Sequence, residues 1–309
     1  MKLALVFPGQ GSQAVAMMLP FAGSKIVKDT FAEASDALGQ DLWHLVAEGP
    51  PDQLNATVNT QPVMLTAAYA VYRAWQEAGG LAPAMLAGHS LGEYTALVAA
   101  GVIAFNDAVP LVRFRAQAMQ EAVPMGTGAM AVILGLDDDA VRTACAEACQ
   151  GEVVEAVNFN APSQVVIAGS KAAVERGMAA CKAKGARRAL SLPVSAPFHS
   201  SLLKPAADRL AEYMKNVTFN APAIPVVNNV DVAMVNEPAA IKAALARQAC
   251  NPVRWVEVIQ YMARAGITHV AECGPGKVLS GMTPRIDKSL HGFAITDPAS
   301  LTQTLAALI

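Results

Sequence analysis

A serine framed by two glycines is the feature of this sequence that most directly indicates chemistry: Gly88-His89-Ser90-Leu91-Gly92 fits the pattern G-x-S-x-G. An apolar run at 84–87 precedes it and a helical pattern at about 91–100 follows, so the serine would lie on a sharp strand-to-helix turn that exposes its hydroxyl. The Leu91 amide would lie at the helix N-terminus, where it can donate to a developing oxyanion. We predict that Ser90 is a nucleophile; the alternative is a glycine-framed turn whose serine only caps the helix.

A nucleophilic serine needs a base, and the sequence offers five histidines, at positions 44, 89, 199, 269 and 291. His199 lies in Pro197-Phe198-His199-Ser200, a proline-stiffened loop that leads into a predicted helix, whose N-terminus would disfavour the imidazolium. The other four fit surface or core positions better, so we predict His199 as the base. No acid between Ser90 and His199 stands out as the third member of a triad. A backbone carbonyl could orient the imidazole instead.

An arginine lies on the apolar face of a helix predicted from Asn106 to about Val123. Leu111, Arg115 and Met119 are spaced by four, so they share a face and Arg115 points inward. A buried guanidinium needs a partner. That partner is either a protein carboxylate in a structural salt bridge or the carboxylate of a substrate, and the helix alone leaves both interpretations open.

Composition excludes several functional classes. The 309 residues carry 23 Lys and Arg against 25 Asp and Glu, and this near-neutral balance gives no electrostatic reason for nucleic-acid binding. Hydrophobic residues make up 53%, which excludes a mainly disordered chain. The longest apolar stretch, Ala96 to Phe105, is about half of what a membrane-spanning helix needs, and the apolar run at the N-terminus is too short for a signal peptide. We expect a cytoplasmic monomer without membrane contact.

Motifs for common cofactors are missing from the sequence. It contains no G-x-G-x-x-G, no G-x-x-x-x-G-K-[ST] and no H-E-x-x-H. Its five cysteines are an odd number without C-x-x-C, so they indicate neither a disulfide framework nor a zinc site. We therefore expect no cofactor and no metal.

Strands and helices alternate along the chain, which predicts an α/β fold. Between 129 and 193 the order becomes strand, helix, strand, strand, helix, strand, the ferredoxin-like unit β-α-β-β-α-β. We predict that residues 1–125 and 196–309 build one parallel sheet in an α/β-hydrolase-like catalytic domain. Residues 126–195 would form a small ferredoxin-like domain inserted into it.

Taken together, these motifs resemble those of the malonyl-CoA:acyl carrier protein transacylases. The likeness covers essentially the whole chain in order, and the family's architecture includes the inserted ferredoxin-like domain. The residues that carry it are Phe7-Pro8-Gly9-Gln10-Gly11-Ser12-Gln13, Gly88-His89-Ser90-Leu91-Gly92-Glu93, Arg115, Asn158-Phe159-Asn160-Ala161-Pro162, Pro197-Phe198-His199-Ser200, and Gln248 with Asn251-Pro252-Val253.

The resemblance implies a role for each residue of the site. Ser90 would be the nucleophile and His199 its base, and the amides of Gln10 and Leu91 would form the oxyanion hole. The backbone around Gln248 would orient His199, which accounts for the missing acid.

The resemblance also implies the substrates. Arg115 would bind the malonyl carboxylate, and Phe198 is the residue type expected in malonyl-selective members. The malonyl group would pass from malonyl-CoA to Ser90 and then to the phosphopantetheine thiol of acyl carrier protein, in support of fatty-acid biosynthesis.

Carrier proteins of this kind are acidic, so the resemblance also predicts a local basic patch. Lys182, Lys184, Arg187 and Arg188 end the inserted domain, and Arg285 follows a glycine turn near the C-terminus. Our hypothesis is that these residues dock the carrier; the alternative is a solvated charged face.

Three other functions share these motifs. A serine esterase or thioesterase would use the same Ser–His pair with water as the acceptor, but it would not need Arg115. A trans-acting acyltransferase of a polyketide pathway would differ only in its carrier. A carrier-binding scaffold would bind without forming an acyl-enzyme.

Overall fold

A computed structural model gives the structure of the protein and describes residues 2–308. Its strands are β1 (Leu3–Phe7), β2 (Met85–Gly88), β3 (Gly128–Leu134), β4 (Val154–Ala161), β5 (Gln164–Ser170), β6 (Arg188–Ser191), β7 (Val226–Val227), β8 (His269–Cys273) and β9 (His291–Ile295). Its α-helices are α1 (Lys25–Leu38), α2 (Leu42–Glu48), α3 (Pro51–Asn55), α4 (Thr57–Glu77), α5 (Leu91–Ala99), α6 (Phe105–Glu121), α7 (Asp138–Ala148), α8 (Lys171–Ala183), α9 (Lys204–Met214), α10 (Pro238–Gln248), α11 (Trp255–Arg264), α12 (Val278–Ile286) and α13 (Pro298–Ala307). Short 3₁₀ turns lie at Leu19–Phe21 and Ser201–Leu203.

A five-stranded parallel sheet forms the larger part of the structure, in the order β7-β2-β1-β8-β9. Every residue of β1 is buried, because Leu3, Leu5 and Phe7 pack into the core on one face and Ala4 and Val6 into the core on the other. The first part of the chain supplies β1 and β2, and the last part supplies β7, β8 and β9. The prediction that the two outer segments complete one sheet is confirmed.

A separate four-stranded antiparallel sheet holds the order β4-β5-β3-β6, with α7 and α8 packed on it over their own hydrophobic core. Chain order and strand order together are those of the ferredoxin-like fold. The α/β fold with its inserted ferredoxin-like unit is therefore confirmed, whereas the domain bounds at 126 and 195 stay a prediction.

Three bounds of the elements matter for the site. Helix α4 begins at Thr57, so that Pro62 lies inside it. The helix predicted from Asn106 begins at Phe105, and its N-cap is Ala104 without a side-chain hydrogen bond. Strand β4 continues to Ala161, because its edge pairs with another segment: the Phe159 amide donates to the Val253 carbonyl.

The end of β1 and the start of α5 lie in direct backbone contact. A methyl group on Gly92 would lie 2.1 Å from the Phe7 carbonyl oxygen, and one on Gly88 would lie 1.8 Å from the carbonyl carbon of Gly92. Both glycines of G-x-S-x-G are therefore required by close packing. None of the helices within residues 2–308 combines the length and the apolar character that crossing a bilayer demands.

The contact between β1 and α5 predicts that alanine at Gly92 destabilises the fold, whereas alanine at an uncrowded helix position should not. Gly92→Ala should destabilise the fold by about 1–3 kcal/mol or more, because the new methyl group collides with backbone that cannot move aside. Gly281→Ala is the matched control: Gly281 is exposed within α12 with no atom within 4 Å of an added methyl group, so the change should stabilise by about 0.5–1 kcal/mol. Urea unfolding followed by circular dichroism measures both; an unchanged midpoint for Gly92→Ala would contradict the packing argument.

Candidate active site

Ser90 occupies the turn between β2 and α5 in a strained backbone conformation. Its φ of 52° and ψ of −108° are unusual for a residue with a side chain. Two side chains hold this conformation: Asn229 Oδ1 accepts from the Ser90 amide at 2.7 Å, and Gln248 Nε2 donates to the Ser90 carbonyl at 3.0 Å. The turn presents the Ser90 hydroxyl to a cavity of about 520 Å³.

His199 is in hydrogen-bond contact with that hydroxyl. Its Nε2 lies 2.7 Å from Ser90 Oγ, and its Nδ1 lies 2.8 Å from the carbonyl oxygen of Gln248. A carbonyl can only accept, so Nδ1 carries the proton and the lone pair on Nε2 faces the hydroxyl. The backbone carbonyl takes the place that an acid occupies in many Ser–His sites.

Burial keeps the imidazole neutral. The His199 side chain is buried, and this burial, with the nearby positive charge of Arg115 as the second cause, lowers its pKa to about 3. The sequence predicts that a helix N-terminus disfavours the imidazolium. In the structure, desolvation and a neighbouring cation lower the pKa instead.

Arg115 lies beside the nucleophile and is only 2% exposed. Its Nη1 donates to Gln61 Oε1 at 2.9 Å, and its Nη2 donates to Gln248 Oε1 and to Ser90 Oγ, each at 3.1 Å. Within residues 2–308 it forms no salt bridge, so the structural salt-bridge interpretation is wrong. A buried guanidinium held only by neutral oxygens favours the binding of an anion.

Two residues whose backbone amides have no partner in the described chain line the same cavity. Gln10 follows β1 and Leu91 begins α5, and both residues line the cavity beside Ser90. Neither amide donates a hydrogen bond to another atom of the described chain. Parallel register explains why they meet: Phe7 pairs with Gly88, so β1 and β2 end at the same edge of the sheet.

The other predicted site residues lie as follows. The six residues assigned to catalysis and substrate binding, namely Gln10, Ser90, Leu91, Arg115, His199 and Gln248, lie together around the cavity or in contact with its walls. The arginines expected to dock a carrier line a separate surface cleft beside β3 and β5: Arg187, Arg188 and Arg285. Lys184 instead pairs with Glu147 at 2.9 Å across α7 and α8.

The remaining histidines do not contact Ser90 Oγ. His89 directs its Nε2 to Asn160 Oδ1 of the inserted unit at 2.8 Å. His44 is exposed on α2, and the rings of His269 on β8 and His291 on β9 lie 5.0 Å apart, tilted by 30°. The choice of His199 by elimination therefore agrees with the geometry.

Three residues of the site were missed by sequence reasoning. Gln61, Glu93 and Asn229 are buried and hydrogen-bonded to Arg115, Gln248 or Ser90. Glu93 is the single charged residue of α5, and that isolation was an available signal. Gln61 directly follows Asn59 and Thr60 in α4 and gave no such signal. Asn229 follows β7 and gave no comparable signal.

A serine hydroxyl, a neutral imidazole, two residues with unpartnered backbone amides and a buried cation line one cavity. Groups of these types can together carry out acyl transfer through an ester intermediate. On an α/β-hydrolase-like sheet with a ferredoxin-like insertion, this equipment defines an acyltransferase.

Comparisons with known proteins agree with this class. Residues 4–283 match the acyl transferase domain family. The malonyl CoA-acyl carrier protein transacylase of Escherichia coli K12 is 59% identical over 305 residues, which are 98% of this chain and 99% of that protein. The acyl-carrier-protein S-malonyltransferase structure from Burkholderia pseudomallei 1710b is 68% identical with a TM-score of 0.98, covering 99% of this chain and 100% of that one.

A second similar structure is that of a malonyl-transacylase in complex with its type II polyketide acyl-carrier protein. It is 54% identical with a TM-score of 0.98 and covers 99% of this chain and 100% of that one. The chain belongs to the family of malonyl-CoA:acyl carrier protein transacylases.

The environment of His199 predicts an unusual titration. Because its pKa is lowered to about 3 from an ordinary 6.5, the imidazole should stay neutral as the pH falls from 8 to 5 and should protonate only as the pH approaches 3. A ¹H–¹³C NMR titration of the histidine ring resonances measures the pH at which His199 protonates. The His199 resonances are assigned by their loss in His199→Gln. A protonation step near pH 6.5 would show that the ring is more hydrated than the structure indicates.

Proposed function

We propose that this acyltransferase moves the malonyl group from malonyl-CoA to the phosphopantetheine thiol of acyl carrier protein through a malonyl-serine at Ser90, and so supplies fatty-acid biosynthesis. The observation that carries this proposal is the buried Arg115 guanidinium, which lies 3.1 Å from Ser90 Oγ and lacks a carboxylate partner in residues 2–308. Such a cation fits an acyl group that ends in a carboxylate.

The first half-reaction forms the ester. Ser90 Oγ attacks the thioester carbonyl while His199 Nε2 accepts the hydroxyl proton over the 2.7 Å contact. The amides of Gln10 and Leu91 stabilise the oxyanion of the tetrahedral intermediate. The carbon–sulfur bond then breaks, and the coenzyme A thiolate takes the proton back from His199.

The second half-reaction reverses these roles. The carrier's thiol gives its proton to His199 Nε2, and the thiolate attacks the serine ester. The intermediate collapses with cleavage of the bond to Ser90 Oγ, which recovers the proton. The Gln248 carbonyl keeps Nδ1 protonated throughout, so the same nitrogen, Nε2, handles the proton in both halves.

Selectivity and protection of the ester follow from the same cation. Arg115 would pair bidentately with the malonyl carboxylate and hold the ester carbonyl toward the two amides. Hydrogen bonds to the Gln61 and Gln248 side-chain oxygens fix the guanidinium before substrate arrives, which reduces the entropy lost on binding. Phe198, almost fully buried beside the base, makes part of the cavity wall apolar.

Intact mass spectrometry after mixing with malonyl-CoA or acetyl-CoA tests the proposal. Wild type should gain one malonyl group, and Ser90→Ala should gain none because the attacking oxygen is gone. Arg115→Ala should lose malonylation by roughly 100-fold, the scale expected for a charge-assisted pair, while acetylation changes far less.

The same experiment separates the other functions. Rapid loss of the malonyl adduct to water without carrier would favour a thioesterase, and no adduct on wild type would favour a binding scaffold. Faster transfer to a polyketide carrier than to a fatty-acid carrier would favour the polyketide role, which the 54% identical relative makes worth testing.

We further propose that Arg187, Arg188 and Arg285 dock the acidic carrier. All three are exposed, they line one cleft of about 640 Å³, and none pairs with a carboxylate in the described chain. Arg285 Nη1 donates to Gln164 Oε1 at 2.8 Å, which holds that side chain against β5 of the inserted unit. The cleft therefore combines positive charges from both parts of the fold.

Charge reversal tests this docking. The double variant Arg187→Glu and Arg188→Glu should raise KM for the carrier about tenfold or more, because attraction becomes repulsion, and should leave KM for malonyl-CoA nearly unchanged. Steady-state kinetics at low and moderate salt measures both constants. The double variant Lys25→Glu and Lys215→Glu changes the net charge by the same amount at exposed positions on α1 and at the end of α9, and is the control for net charge alone. Equal effects on both substrates would refute a carrier-specific role.

A further inference from the structure

Glu93 is a buried carboxyl group that no step above uses. It lies in the first turn of α5, three residues after the nucleophile, and is 2% exposed. Its Oε2 accepts two hydrogen bonds of 2.9 Å each, from Gln248 Nε2 and from the Asn229 backbone amide. Both partners themselves hold the nucleophile, so Glu93 is one contact away from Ser90.

The contact with Gln248 decides which way that carboxamide faces. Its Nε2 donates to Glu93 Oε2 and to the Ser90 carbonyl, so its Oε1 faces the other way and accepts from Arg115 Nη2 at 3.1 Å. A carboxamide turned by 180° would present N–H groups to a guanidinium that has only N–H groups of its own. Glu93 therefore selects the orientation in which Gln248 supports the cation.

The contact with Asn229 acts on the other side of the nucleophile. Glu93 Oε2 holds the Asn229 amide, and Asn229 Oδ1 accepts from the Ser90 amide at 2.7 Å. Asn229 Nδ2 completes the arrangement by donating to the Gly88 carbonyl at 2.8 Å. One carboxyl oxygen thus fixes both residues that hold the strained Ser90 backbone.

We propose that Glu93 is a positioning residue that sets the preference for acyl groups with a free carboxylate, by holding Gln248 in the orientation that places Arg115. This inference rests on the proposed malonyl transfer. Glu93 acts through the position of its accepting oxygen, which the length of its side chain sets. Gln248 and Asn229 both need an acceptor at that one point.

The charge of Glu93 is secondary. Burial raises its pKa to about 7, although the hydrogen bonds from Gln248 and Asn229 and the charge of Arg115 act in the opposite direction and Asp231 adds a small rise. The protonated and ionised forms are therefore both accessible near neutral pH. Oε2 remains an acceptor in either form when the proton is on Oε1.

Two conservative variants separate the effect of side-chain length from the effect of charge. Glu93→Gln keeps an acceptor oxygen at the same distance without a charge, whereas Glu93→Asp keeps the charge but withdraws it by one carbon–carbon bond, about 1.5 Å. Thr95→Val is the matched control, because Thr95 is fully buried on the same helix and its hydroxyl has no partner within residues 2–308.

The measured quantity is the ratio of kcat/KM for malonyl-CoA to that for acetyl-CoA in acylation of Ser90, with each protein normalised to its folded fraction by thermal unfolding. Glu93→Asp should lower this ratio about tenfold or more, toward that of Arg115→Ala, while Glu93→Gln and Thr95→Val should stay within about threefold of wild type.

Two outcomes would overturn the inference. A normal ratio in both folded variants would mean that Glu93 only stabilises the fold. A lowered ratio in Glu93→Gln together with a normal ratio in Glu93→Asp would mean that the charge of Glu93 matters and its side-chain length does not. Wild type is measured in the same assay. If it forms no malonyl-serine, the proposed function fails; if it forms malonyl-serine, the variants test the role of Glu93 alone.

Discussion

A positive charge buried beside the nucleophile is the constraint on which this site depends. Arg115 could not be buried without hydrogen-bond partners, because desolvating a guanidinium is costly. The protein supplies neutral oxygens from Gln61, Gln248 and Ser90 in place of a carboxylate. A protein carboxylate in direct contact would occupy the cation, whereas amide and hydroxyl oxygens hold it in place without forming a salt bridge.

The same charge also acts on the base. Burial disfavours the imidazolium form of His199, and the nearby cation acts in the same direction. The ring therefore rests in its neutral form and can accept a proton from Ser90. An acidic third member behind the imidazole would reverse that preference and would also lie near Arg115. The Gln248 carbonyl orients the ring without adding a charge, so one residue serves the base with its backbone and the cation with its side chain.

The inserted unit belongs to the site although it supplies no catalytic group. Asn160 Oδ1 at the end of β4 accepts a hydrogen bond from His89 Nε2, next to Ser90. Glu155, on the same strand, accepts from the amide and hydroxyl of Ser201 at 2.7 and 2.8 Å, two residues after the base. Strand β4 is therefore hydrogen-bonded to a residue next to Ser90 and to a residue close to His199. Residues Leu192 to Val194, just beyond β6, line part of the cavity.

Local patterns in the sequence determined the parts of this protein that depend on near neighbours. G-x-S-x-G between a strand and a helix pointed to Ser90, and spacing of four along α6 placed Arg115 on the inward face, because each of these two signals lies within a few residues. His199 was chosen by elimination among the five histidines. The alternation of elements also gave the α/β fold and the ferredoxin-like insertion. Tertiary structure alone decided what surrounds the cation. Gln61, Glu93 and Asn229 come from α4, α5 and the segment after β7, and only the folded sheet brings these distant positions within hydrogen-bond reach. Whether Arg115 forms a salt bridge depended on those contacts, so no pattern along the chain could have decided it.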